Sequence, residues 1–401
     1  MKILLLIIDG LGDERIPDLN NKTPLESAKT PNLDKLAKEG ACGLLMPYFE
    51  KGKSPTSEDC HLALFGYNPK KYNPGRGVLE VLGLGFKVLP EDICLRGNFA
   101  TLDENFKIID RRAGRIKETL PLIRGFCDIK IEGVKIILKK GLDHRLGIIL
   151  RGKNLSEKVR DGDIKKLNIT PLKIQPKEKT KKAQFTAKIL NEFLKLSHQI
   201  LKEHPLNKKR QAEGRLPANF ILLRGAGRLK KVISFQEKYK MKACCIAGAP
   251  LYKGIAKYLG MKIIEVKGAT GLPNTNLKGK IKSALKALQK FDFVFLHIKA
   301  ADNFAEDGDF LGKKIFIEKI DKCLKILFTL KNTLIVITGD HSTCSLQKSH
   351  CKKPIPLLIW GKGADKIEQF SERACQKGKL GKVLQKGLMR EILKLTKNCS
   401  T

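Results

Sequence analysis

The stretch Leu334-Ile335-Val336-Ile337-Thr338-Gly339-Asp340-His341-Ser342-Thr343 decides the fold. It opens on an unbroken apolar run, which is how a strand buried on both faces reads. A carboxylate and an imidazole then stand side by side at the run's C-terminal end. In open α/β sheets that end is where ligands bind. Adjacent side chains on a regular strand point to opposite faces. Asp340 and His341 can therefore share a ligand only where the strand breaks into a loop, and Gly339 permits that break. A second histidine, His350, follows. Alone, the pair also fits a capping Asp beside a solvated His, so the rest of the chain has to decide.

The same pattern recurs to either side. Residues 2–8 read as a strand ending in Asp9, with Gly10 and Gly12 allowing a tight turn. Residues 293–298 are another, ending at Lys299-Ala300-Ala301-Asp302 and running on to Glu306 and Asp307. Residues 41–46, 220–223, 244–247, 263–266 and 354–361 are further short apolar runs, and helical stretches separate most of them. Thr30 and Pro31 open one such helix as N-cap and first residue. This β/α alternation predicts a mostly parallel sheet with helices on both faces. Ser57 falls at the start of a helix, after Pro55. Donor amides and the positive end of the helix dipole would surround its hydroxyl there, which suits a nucleophile that receives a phosphoryl group. The plainer reading is an N-cap.

From about residue 89 the texture changes. β-like runs at 96–102, 134–138 and 147–150 surround Asp110-Arg111-Arg112-Ala113-Gly114-Arg115. Residues 173–183 have linker composition, and a helix over about 184–204 leads back. At 401 residues the chain is expected to form two domains. The expectation is a smaller α/β domain, 89–185, inserted into a catalytic domain made of 1–88 and 186–401.

Bulk properties narrow the function. Hydrophobic content of 42% excludes disorder. No run approaches the roughly 20 apolar residues of a membrane span, and the N-terminal apolar run lacks a cleavage site, so a cytoplasmic protein is expected. The 11 cysteines show no CxxC spacing and are expected to be reduced thiols. A net charge of +37 suggests a polyanion partner. The lysines are spread along the whole chain, however, and aromatics are only 6%, so a nucleic-acid role is not expected. Arginines kept for an anionic small substrate fit better.

Asp9, Asp302, Asp340, His341 and His350 all follow predicted strands, and Ser57 heads a helix in the same half of the protein. Mixed carboxylate and imidazole donors suit Mn²⁺ or Zn²⁺ better than Ca²⁺. There are enough donors for two ions, which could clamp an in-line phosphoryl transfer.

In these motifs the chain resembles the archaeal-type, cofactor-independent (2,3-bisphosphoglycerate-independent) phosphoglycerate mutases of the alkaline phosphatase superfamily. The likeness runs nearly end to end. It includes Ile8-Asp9-Gly10-Leu11-Gly12-Asp13, Thr23-Pro24-Leu25-Glu26, Thr30-Pro31-Asn32-Leu33-Asp34 and Ser57 ahead of His61-Leu62-Ala63-Leu64. It continues through Gly75-Arg76-Gly77, Asp110–Arg115, Arg224-Gly225-Ala226-Gly227, His297-Ile298-Lys299-Ala300 with Asp302, and Asp340-His341-Ser342-Thr343 with His350.

The resemblance implies an alkaline-phosphatase-like sheet and an isomerase of glycolysis and gluconeogenesis. That enzyme interconverts 3-phosphoglycerate and 2-phosphoglycerate through phosphoserine at Ser57, without 2,3-bisphosphoglycerate. It implies one ion on Asp9, Ser57, Asp340 and His341. A second ion would sit on Asp302, Glu306 and His350, with Mn²⁺ expected and Mg²⁺ or Zn²⁺ as alternatives. Asp110 and Arg111 would act with Ser57, while Arg76, Arg112, Arg115, Arg224, Arg228 and Lys299 would hold the substrate's anions. Closure of the inserted domain would keep water out. At 306 the family pattern has histidine. Glutamate there biases the site towards Mn²⁺ or Mg²⁺, with Asp307 as a substitute ligand. A related metal-dependent phosphatase or phosphomutase on another small phosphate ester shares the same core; the Asp110–Arg115 segment tips the choice to the mutase.

Overall fold

The structure is a computed structural model and describes residues 1–397. Its strands are β1 (Lys2–Ile8), β2 (Ala41–Met46), β3 (Ile93–Leu102), β4 (Ile108–Asp110), β5 (Lys130–Ile131), β6 (Val134–Lys140), β7 (Arg145–Arg151) and β8 (Phe220–Arg228). They continue with β9 (Ala243–Ile246), β10 (Lys262–Ile263), β11 (Phe293–Ile298), β12 (Thr333–Thr338), β13 (Ser342–Cys344), β14 (Ser349–Cys351), β15 (Ile355–Trp360) and β16 (Gly381–Leu384). The chain folds as two compact units, Met1–Asn73 with the chain from Val232 onward, and Pro74–Lys231.

The first unit is built on an eight-stranded sheet of order β10-β9-β11-β1-β12-β15-β2-β16. β10, β9, β11, β1 and β12 run parallel. β15 runs antiparallel to both of its neighbours, and β16 pairs parallel with β2. The three central strands are buried along almost their whole length, because their apolar side chains fill both faces and helices cover both. The expected mostly parallel α/β sheet is present.

β1, β11 and β12 end in register, with Ile8 beside Ile298 and Ile7 beside Thr338. Asp9, Asp302 and Asp340 therefore leave the sheet at one edge. Gly10 has φ +66°, and a Cβ there would stand 2.9 Å from the Asp302 Cα. Only glycine lets the β1 loop pass that close.

In the second unit, β3 is the hub of an antiparallel sheet. It pairs with β4, β7 and β8, while β6 and β5 continue beyond β7. The helix Lys181–Glu203 lays Ile189, Leu190 and Phe193 into this unit's core with Phe99 and Phe220. The texture boundaries at 89 and 185 fall inside this unit. The helix Arg76–Gly83 packs Val78 and Val81 against Cys94 and Ile149, and β8 pairs with β3. The short apolar run 220–223, read from sequence as a strand of the parallel sheet, thus belongs to the antiparallel one.

The expectation of reduced thiols fails at one pair, since Cys344 and Cys351 are joined by a disulfide. Two strands too short to show a pattern in sequence form a hairpin and bring them together. Among the described residues no helix is long and apolar enough to cross a membrane.

Candidate metal centre

Two overlapping donor sets lie at the C-terminal edge of β1, β11 and β12. Asp9, Asp340 and His341 form one, and Asp302, His341 and His350 the other; within each set the ligand atoms lie within 4.8 Å of one another. All but His350 are fully or almost fully buried. Ser57 is the first residue of the helix Ser57–Leu64, and Thr56 caps that helix. The Ser57 hydroxyl is therefore free of capping duty. Its Oγ lies 3.3 Å from the His341 Nε2, and the residue is 3% exposed.

Hydrogen bonds fix which histidine nitrogens are bare. His350 Nδ1 meets the Pro55 carbonyl at 2.9 Å. A carbonyl can only accept, so the proton is on Nδ1 and the Nε2 lone pair is free. That Nε2 points at Asp302 Oδ1 (3.6 Å) and Glu306 Oε1 (3.8 Å). The Thr343 hydroxyl donates to Asp302 Oδ1 at 2.7 Å and so accepts from His341 Nδ1 at 3.2 Å. The His341 Nε2 lone pair thus faces Ser57, Asp340 Oδ2 (3.3 Å) and Asp9 Oδ1 (3.6 Å). Imidazoles oriented through the far nitrogen are the usual support of a metal ligand.

The electrostatics fit cations. Asp9, Asp302 and Asp340 crowd one buried spot. Burial and the charges of Asp9 and Asp302 push the Asp340 carboxyl well above its ordinary range. Burial acts to raise Asp9 too, but Lys299, His297 and His341 together hold it well below. Burial, with His350 next to it, pushes His341 down to about 3, keeping it neutral. Asp9 Oδ1 and Asp340 Oδ2 are buried with no hydrogen-bond partner. Bare carboxylate oxygens beside bare imidazole nitrogens are the donor chemistry of a divalent transition metal, so the residues fit the ions that the sequence implied.

Several supporting residues carry no motif of their own. The Tyr252 hydroxyl donates to Asp9, and its ring stacks on His297 at 3.5 Å between centroids. Lys313, fully buried, donates to Asp13 (2.8 Å) and to the carbonyls of Gly12 and Thr343 (3.1 Å each). It pins the β1 loop to the hairpin. Lys299 pairs with Asp302 at 2.6 Å and reaches Asp9 at 3.4 Å. A third acidic grouping, Asp13, Glu14 and Cys344, is committed elsewhere, since Lys313 and Ser345 hold Asp13 and the disulfide holds Cys344.

The second unit gathers arginines on one sheet face. Arg96 of β3 stands directly opposite Arg224 of β8, and Asn98 opposite Arg145 of β7. Side chains two apart on a strand share a face, so these four residues do. Arg76 and Glu80, from the helix Arg76–Gly83, join them with Glu80 3.6 Å from Arg96 and 3.5 Å from Arg76. The helix gets that close because of Gly77, where a Cβ would meet the Gly225 and Cys94 carbonyls at 2.5 and 2.4 Å. The Nε atoms of Arg96, Arg145 and Arg224 are buried without a hydrogen-bond partner. Glu80, with Asp163 reaching only Arg224 and shared with Arg111, cannot neutralise four guanidiniums, and the surplus suits a bound phosphate or carboxylate.

Around this face, burial and Arg145, Arg112, Arg96 and Arg115 push His144 down to about 3. Arg111 is held by Asp163 in a two-pronged bond (2.9 and 2.8 Å), with Arg224 3.8 Å from the same carboxylate. Asp110 accepts from the Arg112 amide. Arg228 is engaged by Glu91 at 3.0 Å, Glu157 at 3.3 Å and the Leu155 carbonyl at 2.6 Å. Arg96, Arg145 and Asn98 carry no signal in the sequence, because only strand register reveals them, and Asp163 carries none because it lies in a loop that reaches Arg111 and Arg224 only in the fold.

A buried metal-ligand cluster on a largely parallel sheet defines a metalloenzyme, and residues 1–395 match the model of the metalloenzyme superfamily. Within it, the chain belongs to the 2,3-bisphosphoglycerate-independent phosphoglycerate mutases. It is 45% identical to such a mutase from Methanocaldococcus jannaschii, over 98% of this chain and 97% of that one. A mutase of the same name from Archaeoglobus fulgidus is 41% identical over 98% of both chains. Among solved structures, a cofactor-independent phosphoglycerate mutase from Thermoplasma acidophilum superposes with a TM-score of 0.67 at 33% identity, covering 99% of this chain and all of that one. A Pyrococcus horikoshii protein superposes with a TM-score of 0.85 at 33% identity, covering 100% and 98%.

Proposed function

We propose that the chain interconverts 3-phosphoglycerate and 2-phosphoglycerate through a phosphoserine at Ser57. The observation that carries this reading is the Ser57 Oγ at the mouth of two overlapping donor sets, 3.3 Å from a neutral imidazole. Two divalent ions, Mn²⁺ foremost, held by Asp9, Ser57, Asp340 and His341 and by Asp302, Glu306 and His350, would supply positive charge to the seryl oxygen and the phosphoryl group.

The chain's own part follows. Ser57 Oγ attacks phosphorus, the bond from phosphorus to the substrate oxygen breaks, and the seryl proton ends on the released glycerate. The glycerate then presents its other hydroxyl, and the reverse steps free Ser57. The helix Ser57–Leu64 would add the positive end of its dipole at the seryl oxygen. Anion binding is assigned to Arg76, Arg112, Arg115 and Arg224, and to Arg96 and Arg145 with them. Lys299 serves the phosphoryl end. In this reading Asp110 and Arg111 support proton transfer, with Arg111 oriented by Asp163, while Arg228 keeps a structural task.

The test is an enolase-coupled assay without 2,3-bisphosphoglycerate, with Mn²⁺, Mg²⁺ or Zn²⁺ added in turn. Turnover that Ser57→Ala reduces by roughly 10³-fold or more, in a protein that still folds, supports the reading. Release of free phosphate without 2-phosphoglycerate would place the chain with the phosphatases instead.

A further inference from the structure

The hairpin of β13 and β14 is a sheet of its own, with three residue pairs: Ser342 with Cys351, Thr343 with His350, and Cys344 with Ser349. A two-stranded ladder that short is marginal by itself. Its middle pair does the work at the site. Thr343 bonds Asp302 and His341, and His350 faces Asp302 and Glu306. Successive side chains alternate across a strand. Cys344 and Cys351, one step from that pair, therefore bridge the hairpin on the opposite face, with Cα atoms 5.9 Å apart. The His350 ring itself is held by the hydrogen bond from its Nδ1 to Pro55 and by stacking on the His341 ring, with 3.7 Å between centroids.

We propose that Cys344 and Cys351 are a thiol–disulfide modification site whose closed form holds His350 in place for the second metal ion. This rests on the reading of His350 as a ligand. Closing the bridge passes two protons and two electrons from the two thiols to a low-molecular-weight disulfide, which leaves as two thiols; a dithiol reductant reverses the step. Cys344 is fully buried, and Cys351 keeps 9% exposure, so exchange enters at the Cys351 sulfur. With the bridge open, His350 samples orientations in which its Nε2 no longer faces Asp302. Asp9 and Asp340 extend from β1 and β12 of the central sheet and do not depend on the hairpin. Opening should therefore weaken the ion on Asp302, Glu306 and His350 more than the ion on Asp9, Asp340 and His341, which touches the hairpin through His341 alone of these three.

The test is calorimetric titration of Mn²⁺ into the metal-free full chain in three forms: oxidised, reduced with a phosphine that is then removed, and the Cys344→Ser/Cys351→Ser double variant. His350→Ala is run alongside. Alkylation after denaturation counts the thiols: 11 in the reduced protein and two fewer in the oxidised one. The expected result is two Mn²⁺ sites in the oxidised protein. In the reduced protein and the double variant one site is about tenfold weaker and the other changes less, and His350→Ala loses the first of these. If the double variant does not fold, the reduced wild-type chain carries the comparison. Equal affinities for closed and open forms, with His350→Ala still losing a site, overturn the proposal alone. Two undisturbed sites in His350→Ala overturn the ligand reading and the proposal with it. Labelling of all cysteines without reduction also overturns it.

Discussion

The Thr343 hydroxyl donates to the Asp302 carboxylate at 2.7 Å, and this single bond ties together the two donor sets at the sheet edge. Because that oxygen spends its proton on Asp302, it accepts from His341 Nδ1, and the tautomer of His341 is decided. Thr343→Val keeps the shape and removes both bonds. It is expected to weaken Mn²⁺ binding and lower kcat/KM by about 10- to 100-fold, while Thr343→Ser restores most of both. Metal affinity unchanged in the valine variant would show that the hydroxyl does not orient the imidazole.

Glu306 stands at the one proposed ligand position whose residue type departs from the pattern of the family that the chain resembles, and its carboxylate lies 3.8 Å from His350 Nε2. A hard oxygen donor there favours Mn²⁺ or Mg²⁺ over Zn²⁺. Glu306→His is expected to move metal preference towards Zn²⁺ in a competition titration. Glu306→Ala should lose roughly tenfold or more in affinity for one ion. An unchanged preference in the histidine variant would remove Glu306 from the ligand set.

The carboxylates of the metal centre were legible because each follows an apolar run, and the parallel sheet aligns those runs at Asp9, Asp302 and Asp340. Ser57 was legible as the opening of a helix. The arginine face was legible only in part. Arg76 and Arg224 lie in glycine-rich motifs, whereas Arg96 and Arg145 sit within strands, and their meeting depends on which strand pairs with β3 and in what register. No local pattern records register across distant strands. The compact unit Pro74–Lys231 is wider than the change of texture over 89–185 for a related reason. The helix Arg76–Gly83 looks like any other αβ connection until its packing on β3 is seen. The disulfide escaped notice because strands of three residues leave no periodicity to read.

The arginine face carries a second expectation, in which stability and function pull apart. Arg145 shares a crowded positive environment with Arg76, Arg96 and Arg224, and its Nε has no hydrogen-bond partner. Removing one of several like charges relieves repulsion, so Arg145→Gln should melt at the same temperature as wild type or higher. The same change removes a donor to the substrate's anion and should raise KM by about 10- to 100-fold. In wild type, 3-phosphoglycerate or inorganic phosphate should raise Tm, and the variant should show less of that rise. A variant that is destabilised yet keeps its KM would mark Arg145 as structural.

Glu372 gives the chain a pH dependence away from the metal centre. Its carboxylate accepts from the Thr23 hydroxyl at 2.7 Å and the Asp13 amide at 3.2 Å, yet burial pushes it from 4.5 up to about 7. The folded state thus holds a proton that the unfolded chain has already released. The stabilising contribution is complete below pH 4.5, drains away as the pH rises, and is gone above about 7. Glu372→Gln stays neutral throughout. Its stability relative to wild type should climb between pH 4.5 and 7 and level off beyond. The climb is about 2 kcal/mol, since water reaching the half-buried group trims the full conversion of the shift. Denaturant melts of both proteins across that range measure the difference directly. A constant offset would mean that Glu372 ionises normally in the folded protein and that its two hydrogen bonds outweigh its burial.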